Sequence, residues 1–488
     1  MEFFVNSERH VVNDFEPSMT LLRYLRTLAK LRGTKEGCAS GDCGACTVLV
    51  ADKNGYVSVN ACIALLGGFA GKHVVTVDGL ADSETGALHP VQKAMVDCHA
   101  SQCGFCTPGF VMSLAGLYEE HRSGSHPDSH AVFDAISGNL CRCTGYRPIV
   151  EAAEKMFSHE ASTPLTQLAN ASESKVCYYE ASNDANDSEK NASAYHLPTT
   201  EKELQSLLSQ DITSFLVSGG TDKVLEISQQ YQTPTQVIDI LGIDTLGTIQ
   251  IEQDHIYIGS AVTYSQLEKL FADYSPSFVA LLHRLGSRQI RNRGTLGGNI
   301  ANGSPIADTP PALFVWDAEI EAVNSQGLRR WVNINDFYLG YRKTVLADDD
   351  YIANIRISKR ELARPHRFYK VSKRFEDDIS AVMGAFVIEH ESSLCTHIRA
   401  AYGGMAATPV RALETESFLL GKALNRNNME QAAQILADEF QPMSDVRASA
   451  AYRIEIAINL LRKAVAELTD TALSSPFNSL SRPRADHA

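Results

Sequence analysis

Residues 36–50 read EGCASGDCGACTVLV, and Cys62 follows further along the chain. Cys38, Cys43, Cys46 and Cys62 are therefore spaced C-x4-C-x2-C-x15-C. Three cysteines in one tight loop with a distant fourth is the plant-type pattern for a [2Fe–2S] cluster. Two irons need four thiolates, and a loop wrapped round them must supply three. Gly37, Gly41 and Gly44 interleave the ligands, so the backbone can turn and approach the sulfurs. Inward-facing N–H groups would then stabilise an anionic cluster. A zinc site usually draws two close cysteines from each of two loops, which this spacing fits poorly.

Working outward, Cys103 and Cys106 lie in SQCGFCTPGF, and Cys141 and Cys143 lie in GNLCRCTGYRPI. Each pair precedes a helix start, with Thr107-Pro108 reading as N-cap and first helical proline and Pro148 opening IVEAAEKMF in the same way. A helix N-terminus favours thiolates and an anionic cluster. Two such loops facing each other make a four-thiolate cage, for a second cluster or for zinc. There are eleven cysteines, nine of them before residue 144. An odd, crowded count with no export signal argues for metal or redox chemistry over a disulfide framework. Cys98, Cys177 and Cys395 remain as ordinary thiols.

The 488 residues suggest about three domains. Hydrophobic residues make up 44%, enough for sizeable cores. The net charge of −14 argues against nucleic acid as a partner, and no apolar run is long enough to span a membrane. These features imply a cytoplasmic protein. CTVLV (46–50) and HVVTV (73–77) read as strands and Ser18–Leu31 as an amphipathic helix, giving a small α+β unit over 1–79. Residues 80–157 read as a helical unit. Residues 158–195, rich in Ser, Asn and acids, read as a linker or a partly ordered loop. As a flexible coil this segment would span roughly 35 Å. Beyond it, TTEKELQSLL reads as a helix capped by Thr200, and SFLVSGG, TPTQVIDI and HIYIGSAV read as strands. GAFVIEH and HIRAAYGGMA alternate like paired strands, helices follow at 428–439 and 445–467, and 469–488 reads as a frayed tail.

Two glycine-rich stretches follow the linker, FLVSGGTDKVLE (215–226) and RNRGTLGGNIANGSPIADTPPALF (291–314). Neither is the G-x-G-x-x-G fingerprint. They offer backbone N–H groups, Thr and Asn side chains and tight turns, as a diphosphate cradle does and as plain turns also do.

Taken together, QCGFCTPG and GNLCRCTGYRPI behind a plant-type motif resemble the iron–sulfur region of the molybdenum hydroxylases of the xanthine dehydrogenase and aldehyde oxidase family. TLGGNIANGSPIAD and VSGGTD resemble that family's FAD loops. The resemblance implies a multidomain α+β chain. Its parts are a β-grasp ferredoxin-like [2Fe–2S] domain, a four-helix [2Fe–2S] domain, an FAD domain of the vanillyl-alcohol-oxidase/PCMH type (196–380), and a CO-dehydrogenase-flavoprotein-like C-terminal domain (384–468). It assigns FAD to Leu216, Val217, Ser218, Gly219, Gly220, Thr221, Asp222 and Lys223, and to Thr295, Leu296, Gly297, Gly298 and Asn299. Asp308 would accept a hydrogen bond from the flavin, and Ile352 and Lys370 would touch it. Tyr341, Asp377 and Asp378, with Glu376, would border the site for NAD as electron acceptor. Gln102 matches a position near the molybdenum cofactor. No catalytic side chain is implied, since the cofactors carry the chemistry. Electrons would pass from the helical-domain cluster to the ferredoxin-domain cluster and then to FAD. The molybdopterin centre would sit on a larger partner subunit, in an α2β2 heterotetramer. A purine, another heterocycle or an aldehyde would be oxidised there, with NAD or oxygen as acceptor. The competing reading of another class is an iron–sulfur carrier or redox sensor whose C-terminal half holds no flavin.

Overall fold

The computed structural model describes residues 1–469 except 53–54, 83–84, 123, 125, 160–164, 166–192 and 212–213. Most of the linker expected at 158–195, Cys177, and the tail from 470 lie outside the described residues.

The first unit is a five-stranded sheet in the order Glu8–Val11, Glu2–Val5, His73–Val75, Thr47–Asp52, Gly55–Asn60. The central pair, Glu2–Val5 and His73–Val75, is parallel and every other pair is antiparallel. The helix Leu21–Thr27 packs on this sheet through Leu21, Leu22, Tyr24 and Leu25, and Thr20 caps it by accepting from the Arg23 N–H at 3.2 Å. This is the expected β-grasp arrangement.

Four helices follow: Pro90–Asp97, Thr107–His121, Ser129–Ile136 and Arg147–Lys155. One detail departs from the sequence reading. The cap of Thr107–His121 is Cys106, and Thr107 is already helical. Its hydroxyl bonds instead to Ser101 Oγ at 2.8 Å. A candidate metal ligand thus occupies the helix entry itself. Leu49 and Val75 of the first sheet are buried in the helical core, so the two units share apolar packing.

The flavin-domain segment has two parts. A small parallel sheet, in the order Ala194–His196, Gln236–Asp239, Phe215–Val217, carries the helix Glu201–Gln210, capped by Thr200 as expected. Tyr195, Phe215, Val217 and Val237 of this sheet join the core of the first unit. The second part is an antiparallel sheet in the order Arg329–Asn333, Glu319–Val323, Tyr351–Ser358, His255–Gly259, Ile249–Ile251. Helices cover it around Trp316, which stacks on Phe271 with ring centroids 5.4 Å apart.

The last sheet runs His366–Val371, Val382–Glu391, Leu394–Gly403, Val410–Arg411, all antiparallel. His366–Val371 falls inside the segment expected for the flavin domain, 196–380. Its hydrogen bonds nevertheless go to Val382–Glu391, so this sheet begins at 366 and not near 384. Helices Arg426–Glu439 and Ala450–Thr469 complete the C-terminal unit. Among the described residues no helix is long and apolar enough to cross a membrane.

Candidate cofactor sites

The first cysteine loop is held by a hairpin. Cys46 precedes the strand Thr47–Asp52, and Cys62 sits in the helical turn Ala61–Ile63 after Gly55–Asn60. Thr47 pairs with Asn60, which brings Cys46 and Cys62 side by side. Cys38 shares side-chain hydrogen bonds with Cys43 and Cys62, and Cys62 with Cys46, so the four thiols converge. The N–H groups of Ser40 and Asp42 donate to Cys38 Sγ at 3.4 and 3.3 Å. Hydrogen bonds from Cys43 and Cys62 hold the Cys38 thiol far below its ordinary pKa, while Cys62 is pushed far above. Cys46 and Cys62 are buried. Gly44 stands at φ +65°, and a Cβ there would lie 2.3 Å from the Gly138 carbonyl oxygen. The bend between Cys43 and Cys46 therefore requires glycine.

The second cage is more open. Cys103 and Cys143 are exposed, with their sulfurs 3.5 Å apart. Cys106 and Cys141 are half-buried and hydrogen-bonded to each other. The Thr144 N–H donates to Cys141 Sγ at 3.4 Å, and burial pushes the Cys106 thiol up to about 12. Gln102 and Phe105 beside this cage are exposed. Among the described residues, no three His, Cys, Asp or Glu groups are arranged round a single ion. Each set supplies the four cysteines that a two-iron cluster needs. Cys98 and Cys395 are free thiols apart from both sets.

The glycine-rich stretches meet in one cavity of about 420 Å³. Leu216, Val217, Ser218, Gly220, Thr221, Asp222 and Lys223 line it on one side, and Thr295, Gly297, Gly298, Asn299 and Ile352 on the other. Ser218 Oγ and Thr295 Oγ1 join the two sides at 3.1 Å. Gly219 turns behind the lining at φ +74°, where a Cβ would lie 1.9 Å from the Arg293 carbonyl oxygen. Leu296 faces the protein core.

The two stretches differ in what their backbones offer. In the helix Leu296–Ala301 the first N–H groups are occupied: Leu296 donates to Val262 O, Gly297 to Ser260 O, Gly298 to Thr295 Oγ1 and Asn299 to Thr295 O. The N–H groups of Gly219 to Lys223 have no acceptor among the described residues. A diphosphate would thus find its backbone donors in the Gly219–Lys223 turn, and only side chains opposite. Glycine content alone could not separate the two stretches. The turn, its free donors and the cavity fit a dinucleotide such as FAD.

Asp308 and Lys370 form a buried ion pair, Nζ to Oδ2 at 2.7 Å, and Ser380 donates to Asp308 Oδ1. Neither residue lines this cavity. Tyr341 is 63% exposed at the tip of the hairpin Tyr338–Gly340/Lys343–Thr344. Its neighbour Arg342 lines the cavity and lies 3.9 Å from Asp222. Tyr264, buried, and Ser260 also line the cavity. The sequence reading missed all three, because they lie outside the two glycine-rich stretches and enter the cavity only through the fold. Asp378 caps its own turn by accepting from the Arg374 N–H at 2.9 Å. Asp377 stands at φ +48°, and burial, followed by the Asp42 charge, pushes its carboxyl up to about 6. Asp377 therefore lies close to Asp42 of the first cysteine loop.

Domain-family models match in chain order. A 2Fe-2S iron-sulfur cluster binding domain matches residues 3–66, and a [2Fe-2S] binding domain matches 76–154. The FAD binding domain in molybdopterin dehydrogenase matches 189–359, and the CO dehydrogenase flavoprotein C-terminal domain matches 367–468. The chain carries the iron–sulfur and FAD domains of the molybdenum hydroxylase family. Relatives include a xanthine dehydrogenase of Drosophila subobscura, 31% identical over 95% of this chain and 38% of that protein. Another, from Oryza sativa subsp. japonica, is 32% identical over 89% of this chain and 37% of that protein. The chain thus spans well under half the length of these relatives. A solved carbon monoxide dehydrogenase of Hydrogenophaga pseudoflava, lacking the Mo-pyranopterin moiety, superposes with a TM-score of 0.54. It is 27% identical and covers 57% of this chain and 96% of that one. The match at 76–154 favours a [2Fe–2S] cluster over zinc for the second cage.

Proposed function

We propose that this chain is the electron-transfer part of a NAD-dependent xanthine dehydrogenase. A partner subunit holding molybdopterin would oxidise hypoxanthine and xanthine to urate, in a cytoplasmic α2β2 assembly. Clusters carry electrons singly, and a flavin can take them up and release a hydride pair. Cys103, Cys106, Cys141 and Cys143 would hold the outward-facing cluster, on the side open to a partner. Cys38, Cys43, Cys46 and Cys62 would hold the inner one. The Gly219–Lys223 turn and the Thr295–Asn299 wall would hold FAD between them. The Asp308–Lys370 pair would keep a fixed charge pattern behind the flavin, and Tyr341 and Arg342 would border the NAD side.

One observation carries this reading. Ile63, next to Cys62, places its carbonyl oxygen 3.9 Å from where a Cβ on Gly220 would sit, so the inner cysteine set abuts the cavity wall. Copurification with the molybdopterin partner and an assay of NAD reduction with hypoxanthine tests it. NADH formation is expected. Turnover with another heterocycle or with an aldehyde, and none with purines, would sink the xanthine assignment. It would favour the second reading, a different molybdenum hydroxylase, for which the likeness to a carbon monoxide dehydrogenase speaks.

A further inference from the structure

Gln289 belongs to the flavin-domain segment, yet its side chain is buried at the meeting point of three units. Its Nε2 donates to Ser113 Oγ at 3.0 Å, Asn139 Oδ1 at 3.1 Å and Thr47 Oγ1 at 3.3 Å. Ser113 and Asn139 come from the helical unit and Thr47 from the ferredoxin-like sheet. Ser113 also donates to Asn139 Oδ1 at 2.7 Å. Asn139 Nδ2 donates to the Gly44 carbonyl at 3.1 Å, a carbonyl that Thr47 Oγ1 also reaches at 2.7 Å. Leu140 N–H donates to the Cys43 carbonyl at 3.0 Å. The residues just before Cys141 are therefore bonded to the backbone between Cys43 and Cys46.

The same segment reaches the flavin cavity. Ile290 Cδ1 lies 3.1 Å from where a Cβ on Gly41 would sit. Asn292 Nδ2 donates to the Ser58 carbonyl at 3.0 Å, and Arg293 Nε donates to the Gly219 carbonyl at 3.1 Å. Thr295 then opens the cavity wall. A single run from Gln289 to Thr295 touches the supports of both cysteine loops and both flavin loops.

We infer that Gln289 and Asn139 are positioning residues that set the spacing between the two cluster loops and the flavin loops. This rests on the proposed cluster and FAD assignment. Electron transfer rates fall steeply with separation, and a buried, hydrogen-bonded amide node fixes separation more tightly than surface contacts do. Gln289 Oε1 has no partner among the described residues, so the side chain is held by its donor end alone. Replacement by methionine removes those donors at similar volume.

The test uses the full-length holoprotein and its Gln289→Met and Asn139→Ser variants. Iron and flavin content are measured first, then the magnetic coupling between the two reduced clusters, then the rate at which flash-reduced flavin equilibrates with the clusters. The expected result is wild-type cofactor content, altered inter-cluster coupling and equilibration slowed about tenfold or more, in line with the cost of small misplacements. Unchanged coupling and rate in both variants would overturn the inference. So would loss of cofactors in both without change in the coupling of the remaining holoprotein, which would assign the node to folding alone. A parent protein that binds no flavin or no iron would instead defeat the functional reading beneath it.

Discussion

A methyl group on Gly219 would have to share space with the Arg293 carbonyl oxygen, in backbone already in the left-handed region. The strain alone costs roughly 1–3 kcal/mol. Gly219→Ala is therefore expected to lower the flavin-to-protein ratio of the purified chain. Gly247→Ala serves as a control, because nothing lies within 4 Å of a Cβ there. Equal flavin content in the two variants would refute the role given to the turn. Asp377 provides a pH test. Its carboxyl is raised from 3.8 to about 6 by burial and by Asp42, so the folded state holds this proton more tightly than the unfolded one. Stability should then fall as pH rises from about 4 to about 6, where the folded chain alone still binds the proton. Asp377→Asn should flatten that slope, matching the parent below the window and exceeding it above. Thermal midpoints against pH check this, and parallel curves would count against it.

Among the elements, the short helix Arg288–Arg291 ties the flavin segment to the helical unit. Arg291 is buried and pairs with Asp134 of the helical unit and with Glu268 at 2.5 Å. Removing one partner of such a buried set costs about 3–5 kcal/mol. Arg291→Met is expected to lower the thermal midpoint markedly, and an unchanged midpoint would show the pairs to be worth little. Most elements were legible in the sequence, because capping residues and alternation are local. Thr200 capped its helix, and 384–406 formed the expected strand pair. Where the reading fell short, the cause was non-local. The strand His366–Val371 finds its partner across a turn rather than in its own domain. The N–H groups of Leu296 and Gly297 are taken by Val262 and Ser260, some 35 positions upstream. Cysteine spacing marked out both sets but left the second open between a cluster and zinc, whereas Tyr264 and Arg342 enter the cavity through the fold.

At the scale of the whole molecule, the two cysteine sets are unequal. Cys46 and Cys62 are buried beneath the flavin segment, while Cys103 and Cys143 face solvent. A chelator or oxidant reaches the exposed thiolates first, since susceptibility follows exposure. Mild oxidation of the holoprotein should therefore bleach the Cys103/Cys106/Cys141/Cys143 cluster before the other, read from their separate paramagnetic signals. Simultaneous loss, or loss of the inner cluster first, would contradict the described burial.

The stretch from Gln289 to Thr295 also limits how this architecture can be recombined. It lies in the flavin domain's sequence, but Gln289, Ile290 and Asn292 are shaped to the ferredoxin-like sheet and the helical unit. A chimera that takes its cluster domains from one relative and its flavin domain from another would cut between the matched domains, after residue 154 and before 189. It would still inherit a mismatched docking surface from the far side of that cut, and would need these few residues exchanged along with the cluster domains.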